Sequence, residues 1–510
     1  MLSDTIMLDD KAILNLYDVL SSGDTTFYIA LAFDDIAFKA TMLLLENGNF
    51  QVEFDVPKKV EEKIDIEDFF AKPAVLAIPK PFSKKDLPDF NIIISNTDVE
   101  NVSAHIKADD DTIPIHVEVT IRGFRTFCEE NERERAKHTA FFRFNPQIFS
   151  PANKGILYDL TTYKNQDHTC KNAVYFQIDQ SSFLFYYYKI SKEEGYFVVK
   201  SQGELLFSDF IKIVDSVRSA YALLNGYYMA DNALYVSRTL KRQARLAIEY
   251  RCENSSISSN YPLLDFHFYK NVDRTQLLLT PDMFEKLIQL LFKSSELRRS
   301  CVLITQSACL DNISNGCLAS VAIETITGYF MKNHSSQKPK MFDNKDIFRH
   351  IKYELGKVVK GSKKYAISIG VNIENKIWEK LNSKLGQFNE MPNAVKLSAP
   401  FDESNIHLFE DEEECLNCRN HYLHGNAPKI KMELLKNLTT DELYIFVSHT
   451  LRMLAGLLLL KRAGFNGRVV DWGKTIIVYE RGMKSGHGTK DLSWLHRTVS
   501  GDDNKDWPYE

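Results

Sequence analysis

The feature that most constrains this chain is a change of hydrophobic period near residue 270. Before it lie short runs rich in Val, Ile, Phe and Tyr: FQVEFDV, NIIISN, PIHVEVTI, AVYFQID, FLFYYYKI and YFVVK. Several alternate apolar with polar residues, and turn signals such as ENGN and KEEG separate them. Successive side chains of a strand point to opposite faces, so these runs read as strands of a sandwich or curled sheet. One stretch, SDFIKIVDSVRSAYALL, interrupts with a helical pattern. From Thr280 the period is helical throughout. TPDMFEKLIQLLF opens with Thr280 as N-cap and Pro281 at the first helical position. NGCLASVAIETITGYF repeats Leu318, Val321, Ala322 and Thr325 at helical spacing. The last long helix starts in the capping-box pattern of Thr439 and Glu442 and stops at Gly464.

Strands followed by helices predict a multidomain α+β chain. The expected parts are a strand-rich N-terminal region over 1–270, an all-α bundle over 280–465, and a C-terminal hairpin and tail over 466–510. RVVDWGKTIIVYERG reads as that hairpin. The eight cysteines have no regular spacing, which excludes a disulfide framework and fits free thiols in a reducing compartment. The first twenty residues carry Asp4, Asp9 and Asp10 and no basic segment, unlike a signal peptide. The longest apolar run, MLAGLLLL, is short of the roughly 20 residues of a membrane span. The expectation is a cytoplasmic protein with no membrane partner.

Chemistry concentrates in CLNCRNHYLHG, residues 415–425, where Cys415, Cys418, His421 and His424 recur every third position. A zinc site is the first reading. Structural zinc sites, however, place a long gap between two ligand pairs. On a helix Cys415 and His424 differ by about 180°, and the helix stop at Gly425 comes only afterwards. The two cysteines read better as small core residues.

The residues between them form R-N-x3-H, Arg419, Asn420 and His424. Asn420 and His424 are one helical turn apart and share a side. Arg419 turns about 140° away from His424, toward Cys415, Leu416, Tyr422 and Leu423. This set suits phosphodiester cleavage. Arginine is always charged and its planar fork fits phosphate oxygens, while histidine exchanges protons near neutral pH. RNA brings its own nucleophile, the 2′-hydroxyl. Each residue also has a structural reading: Arg419 as a buried cation paired with Glu324, His424 as a cation favouring the helix dipole. A second R-x4-H runs from Arg133 to His138 in the charged stretch EENERERAKH and reads as a solvated face.

A complete R-N-x3-H near the end of a helix, inside an all-helical domain and followed by another long helix, resembles the HEPN superfamily. The likeness covers roughly 280–465, and LASVAIETITGYF is similar to the earlier HEPN helix bearing an acid, here Glu324. A large strand-rich region ahead of a C-terminal HEPN domain is similar to the ApeA-type anti-phage proteins of bacteria. The resemblance implies a metal-independent endoribonuclease with no cofactor, paired as a homodimer so that two motifs face one cleft. Arg419 would hold the scissile phosphate, His424 would move a proton, Asn420 would orient them or the RNA, and Glu324 would orient Arg419. It further implies an abortive-infection role, with cellular RNA, tRNA among the candidates, as substrate and a phage-derived trigger sensed by residues 1–270.

Residues 338–384 hold twelve Lys or Arg against five acids, a stretch that attracts phosphate backbones. Lys360, Lys363 and Lys364 are the candidate RNA contacts. Asp402 to Glu414 holds seven acids and no cation, which either fends off RNA or favours a helix start. Two other readings of the chain stay open: a non-catalytic HEPN-like dimerisation or binding module, and a zinc-stabilised adaptor.

Overall fold

The computed structural model describes residues 14, 22–30, 37–47, 49–56, 74–77, 91–94, 99–105, 115–126, 135–144, 163–165, 168–170, 173–189, 191–192, 194–229, 233–238, 246–252, 257–259, 261–264, 279–333, 342, 344–389, 393–430, 438–477 and 496–500. The chain is mixed α+β, with antiparallel strands first and helices after them. It divides into two compact units, Met1–Phe266 with Asp273–Ser294, and His267–Val272 with Ser295–Glu510.

The first unit is built on a 14-stranded antiparallel sheet. One edge is Val174–Ile178, followed by Ser181–Lys189, Gly195–Ser201, Lys137–Phe144, Ala233–Arg238 and Leu246–Arg251. The order continues through Gly123–Thr126 and ends with Phe50–Val56, Ile115–Ile121 and Val99–His105. The alternating sequence is realised as an alternating burial. In Ile115–Ile121 every second residue is buried, so one face carries the core. The sheet curls. Phe50 meets Phe124 at 5.4 Å and Tyr250 at 4.8 Å between ring centroids, although their strands lie far apart in the sheet order.

Helix α1 (Phe207–Asn225) buries Tyr221 against Phe185 and Phe197 of the sheet. Helix α2 (Pro281–Phe292) starts as its sequence demands, with Thr280 Oγ1 accepting the Met283 N–H at 3.3 Å. Its partners lie in the first unit. Phe284 packs on Phe176 and Phe185, and Glu285 accepts the Gln177 N–H at 2.7 Å. The helical period thus begins before the change of unit, because an apolar stripe specifies a helix but not the surface that covers it.

His138 corrects the sequence reading of its motif. It lies in strand Lys137–Phe144 and is buried, not solvated. Its Nδ1 bonds Ser237 Oγ at 2.8 Å and its Nε2 bonds the Leu205 carbonyl at 3.0 Å. It is a satisfied core histidine; Arg133 lies outside the described residues.

In the second unit, α3 (Ser295–Ser307), α4 (Asn312–Asn333), α7 (Asn393–Asp402), α8 (Glu410–Leu423) and α9 (Thr440–Arg462) pack around α4. Helix α9 begins in a reciprocal capping box: Thr439 Oγ1 accepts the Glu442 N–H at 3.3 Å and Glu442 Oε2 accepts the Thr439 N–H at 2.8 Å. Among the described residues it is the one helix long and apolar enough to cross a membrane. Some 83% of its most apolar window is buried inside the protein, as in a core helix. Helices α5 (Lys345–Ser368) and α6 (Asn375–Gln387) pack on each other.

The expected hairpin over RVVDWGKTIIVYERG is corrected. Arg468–Val470 pairs with His496–Thr498, and 472–477 is helical. Asp471 diverts the chain by accepting the Lys474 N–H on Oδ1 at 3.0 Å, as a helix N-cap does.

Candidate active site

Helix α8 carries the motif, and both of its ends are fixed. At the start, Asp411 and Glu412 are buried. Arg497 donates from Nη2 to Glu412 Oε2 at 2.8 Å and to the His407 carbonyl at 2.6 Å. Lys474 Nζ sits 3.3 Å from Asp411 Oδ2 and 3.5 Å from Asp471 Oδ2. Burial alone would lower the Lys474 pKa, but Asp471 and Asp411 more than offset it, so the ammonium is held above its usual range. Part of the acid cluster is therefore structural. Glu410 and Glu413 remain exposed in the first turn, where they favour the helix dipole.

At the other end His424 is the C-cap and Gly425 takes a left-handed φ of 70°. Gly425 N–H bonds the Tyr422 carbonyl at 3.0 Å and Asn426 N–H bonds the His421 carbonyl at 2.7 Å, a Schellman turn. This closes the helix and leaves His424 exposed, one turn above the exposed Asn420.

Arg419 faces inward. Its Nε donates to Glu324 Oε1 of α4 at 2.9 Å. Its side chain is only 4% exposed, whereas that of Glu324 is 41% exposed. Two helices meet so closely because α4 presents small residues. A Cβ on Gly316 would lie 2.1 Å from the Tyr422 ring. Ser320 lies one turn on and is fully buried, and Glu324 one turn further. Tyr422 is pinned by its hydroxyl, which donates to the Tyr444 carbonyl at 3.1 Å, and Cys317 Sγ lies 3.4 Å from the Tyr422 carbonyl. Sequence reading missed Gly316, although a glycine two turns before Glu324 on one helix face was a usable signal.

The structure thus joins Arg419 to Glu324 and shows Asn420 and His424 to solvent. Among the described residues no hydrogen bond or ion pair joins Lys360, Lys363 or Lys364 to this pair. They lie on α5, where Lys363 Nζ donates to Asn375 Oδ1 at 2.8 Å. Cys415 and Cys418 are buried in the core while His424 is in water, so the four zinc candidates are not gathered. Burial raises both thiols, Cys418 to about 11 and Cys415 well above its usual range, which disfavours the thiolate that binds metal. Among the described residues no group of three or more His, Cys, Asp or Glu is placed to hold a metal ion.

No protein-family model, curated protein or solved structure matches this chain. Function therefore has to be argued from the site itself. What the site offers is a guanidinium anchored on its Nε edge, an exposed amide, and an exposed imidazole fixed at a helix end. A guanidinium held on one edge keeps its Nη donors in a fixed plane, the geometry that fits a phosphate. An imidazole exposed at a rigid turn is open to the atoms of a bound substrate.

Proposed function

We propose that the helical unit is a HEPN-type endoribonuclease that cleaves RNA through the substrate's own 2′-hydroxyl. The observation that carries this reading is the Arg419–Glu324 bond beside the exposed Asn420 and His424. In the reaction the 2′-oxygen bonds to phosphorus and the bond to the 5′-oxygen breaks. The products are a 2′,3′-cyclic phosphate and a 5′-hydroxyl. Arg419 stabilises the charge growing on the phosphate, and His424 transfers a proton to or from the reacting oxygens. Cation and proton carrier both come from side chains, so the proposed reaction has no metal step. A second copy brings a second Arg419–His424 set to the same cleft. The strand-rich unit senses a phage-derived trigger, and cleavage of cellular RNA then aborts infection.

The test is end analysis of RNA incubated with the purified full chain in EDTA, with and without lysate from infected cells. Cyclic phosphate ends are expected, and His424→Ala should lower the rate by about 100-fold or more. Products with 5′-phosphates, or cleavage unchanged in His424→Ala, would overturn the proposal. A second reading, a binding module that keeps the bundle without catalysis, draws on the near-complete burial of Arg419. It predicts no cleavage under any of these conditions.

A further inference from the structure

The α5–α6 hairpin differs from the helices packed around α4. Its two helices run antiparallel, and the base is clasped by Asn389. The Asn389 Oδ1 accepts the Phe342 N–H at 2.7 Å and its Nδ2 donates to the Phe342 carbonyl at 3.2 Å. Where the helices face each other, Ala366 of α5 and Trp378 of α6 are buried. Beside that seam lies a second apolar stripe that nothing described covers. Ile347, Val358 and Tyr365 on α5, and Ile377, Leu381 and Phe388 on or just after α6, are each between 40 and 67% exposed.

Helix geometry puts both stripes on one side of the hairpin. On each helix the exposed stripe is turned about 80° from the buried residues in the same rotational sense. Antiparallel helices reverse that sense in space, so the stripes form a single face. Five lysines of α5, Lys345, Lys352, Lys360, Lys363 and Lys364, lie about 110–150° away and Lys357 about 90°, while Glu354 of α5 and Lys384 of α6 fall within about 40° of the stripe. The spacing on α5 is also specific. Phe348, Ile351, Leu355, Val358, Ser362 and Tyr365 alternate steps of three and four residues, the seam of helix packed on helix.

We propose that this face pairs with the same face of a second copy of the chain, making a four-helix bundle. The six exposed side chains offer about 600 Å² per copy, so roughly 1,200 Å² for two, the lower edge of a specific interface. A two-fold contact needs only one self-complementary patch, which one hairpin face supplies. Pairing this way turns Lys345, Lys352, Lys360, Lys363 and Lys364 away from the contact and leaves Glu354 and Lys384 within it. The proposal is separate from the ribonuclease reading, since it involves neither Arg419 nor His424.

The experiment is sedimentation equilibrium of the full chain across nanomolar to tens of micromolar concentration. The variants are Val358→Asp with Leu381→Asp on the face, and Lys345→Glu with Arg349→Glu on the opposite arc. All four side chains are exposed, so circular dichroism melts should match the wild type and separate misfolding from lost pairing. The wild type is expected to associate, the face variant to weaken one association step by about 100-fold or more, and the opposite-arc variant to match the wild type. A monomeric wild type, or a face variant that associates normally, would overturn the pairing. Vesicles of phosphatidylcholine with phosphatidylserine form a second arm. Cosedimentation lost in the face variant, with its mass unchanged from the wild type, would overturn the pairing in favour of a lipid surface. If the face variant melts early, Ile377→Lys alone replaces it under the same criteria.

Discussion

Two parts of the helical unit use helices in opposite ways. Around α4 they are sealed: α9 is buried on all sides from Phe446 to Leu460, and α4 and α8 approach until a glycine is required. In the α5–α6 hairpin they are open, and each helix has large apolar residues in water. The difference teaches where a sequence change is felt. Sealed helices register every methyl group, because close-packed interiors relax poorly. Open helices answer mainly to propensity and to whatever covers them.

The largest break in this comparison is expected at Gly316. Gly316→Val forces atoms into the Tyr422 ring, which is buried and held by its hydroxyl. A loss of about 3 kcal/mol or more is expected, read by chemical denaturation. The glycines of the hairpin supply the contrast. A Cβ on Gly356 or Gly361 meets nothing within 4 Å, and both sit inside α5.

Acid is the next probe of the sealed part. Burial first, then Arg452 2.9 Å from its Nδ1, pushes the His449 pKa well below the usual range. The folded chain therefore keeps this ring neutral while the unfolded chain protonates it. Its stability contribution is full above the unfolded value and is lost as pH falls below about 6.5. Moving from pH 7.5 to 5.5 should cost about 1.4 kcal/mol from this group, and His449→Gln should flatten that dependence.

A comparable effect separates the two ends of the candidate site. Glu324→Ala leaves the buried Arg419 guanidinium without its partner. About 1–2 kcal/mol is expected, discounted because Glu324 is itself 41% exposed. His424→Ala, by contrast, should change stability by no more than about 0.5 kcal/mol while removing any cleavage. Equal losses at both positions would mean that His424 is structural too. A further small effect is a gain: Gly361→Ala should stabilise the unit by about 0.5–1 kcal/mol, visible as a raised melting midpoint.

What the sequence made legible follows the range of the interactions involved. Local signals carried well. The Thr439–Glu442 box, the Thr280 cap, the stop at Gly425 and the inward turn of Arg419 all depend on neighbours within a few residues. Long-range partners were hidden. His138 is satisfied by Ser237 and Leu205, 99 and 67 residues away, so its burial has no local sign. The covering of α2 by Phe176 and Phe185 was hidden for the same reason. The C-terminal strand misled differently, because Asp471 was a legible cap inside a run of β-branched residues that seemed to outvote it. Within the candidate site, the motif was visible but the small-residue groove of α4 that seats it was not. A groove belongs to two helices, and one helix pattern shows half of it.

The clamp at the start of α8 also sets an order in time. Glu412 and Arg497 are 85 residues apart in the chain. Ribosomes add about 5–20 residues each second, so the helix bearing Arg419 and His424 waits roughly 4–17 s, after Glu412 is made, for the cation that seats it. During that interval Glu412 keeps only the local bond from the Phe409 N–H, and Lys474 on Asp411 is the cation that reaches the helix start first. A cell that makes this protein therefore meets the motif helix first with its α4 contacts available and its Arg497 clamp still missing. The clamp closes only once Arg497 has been made.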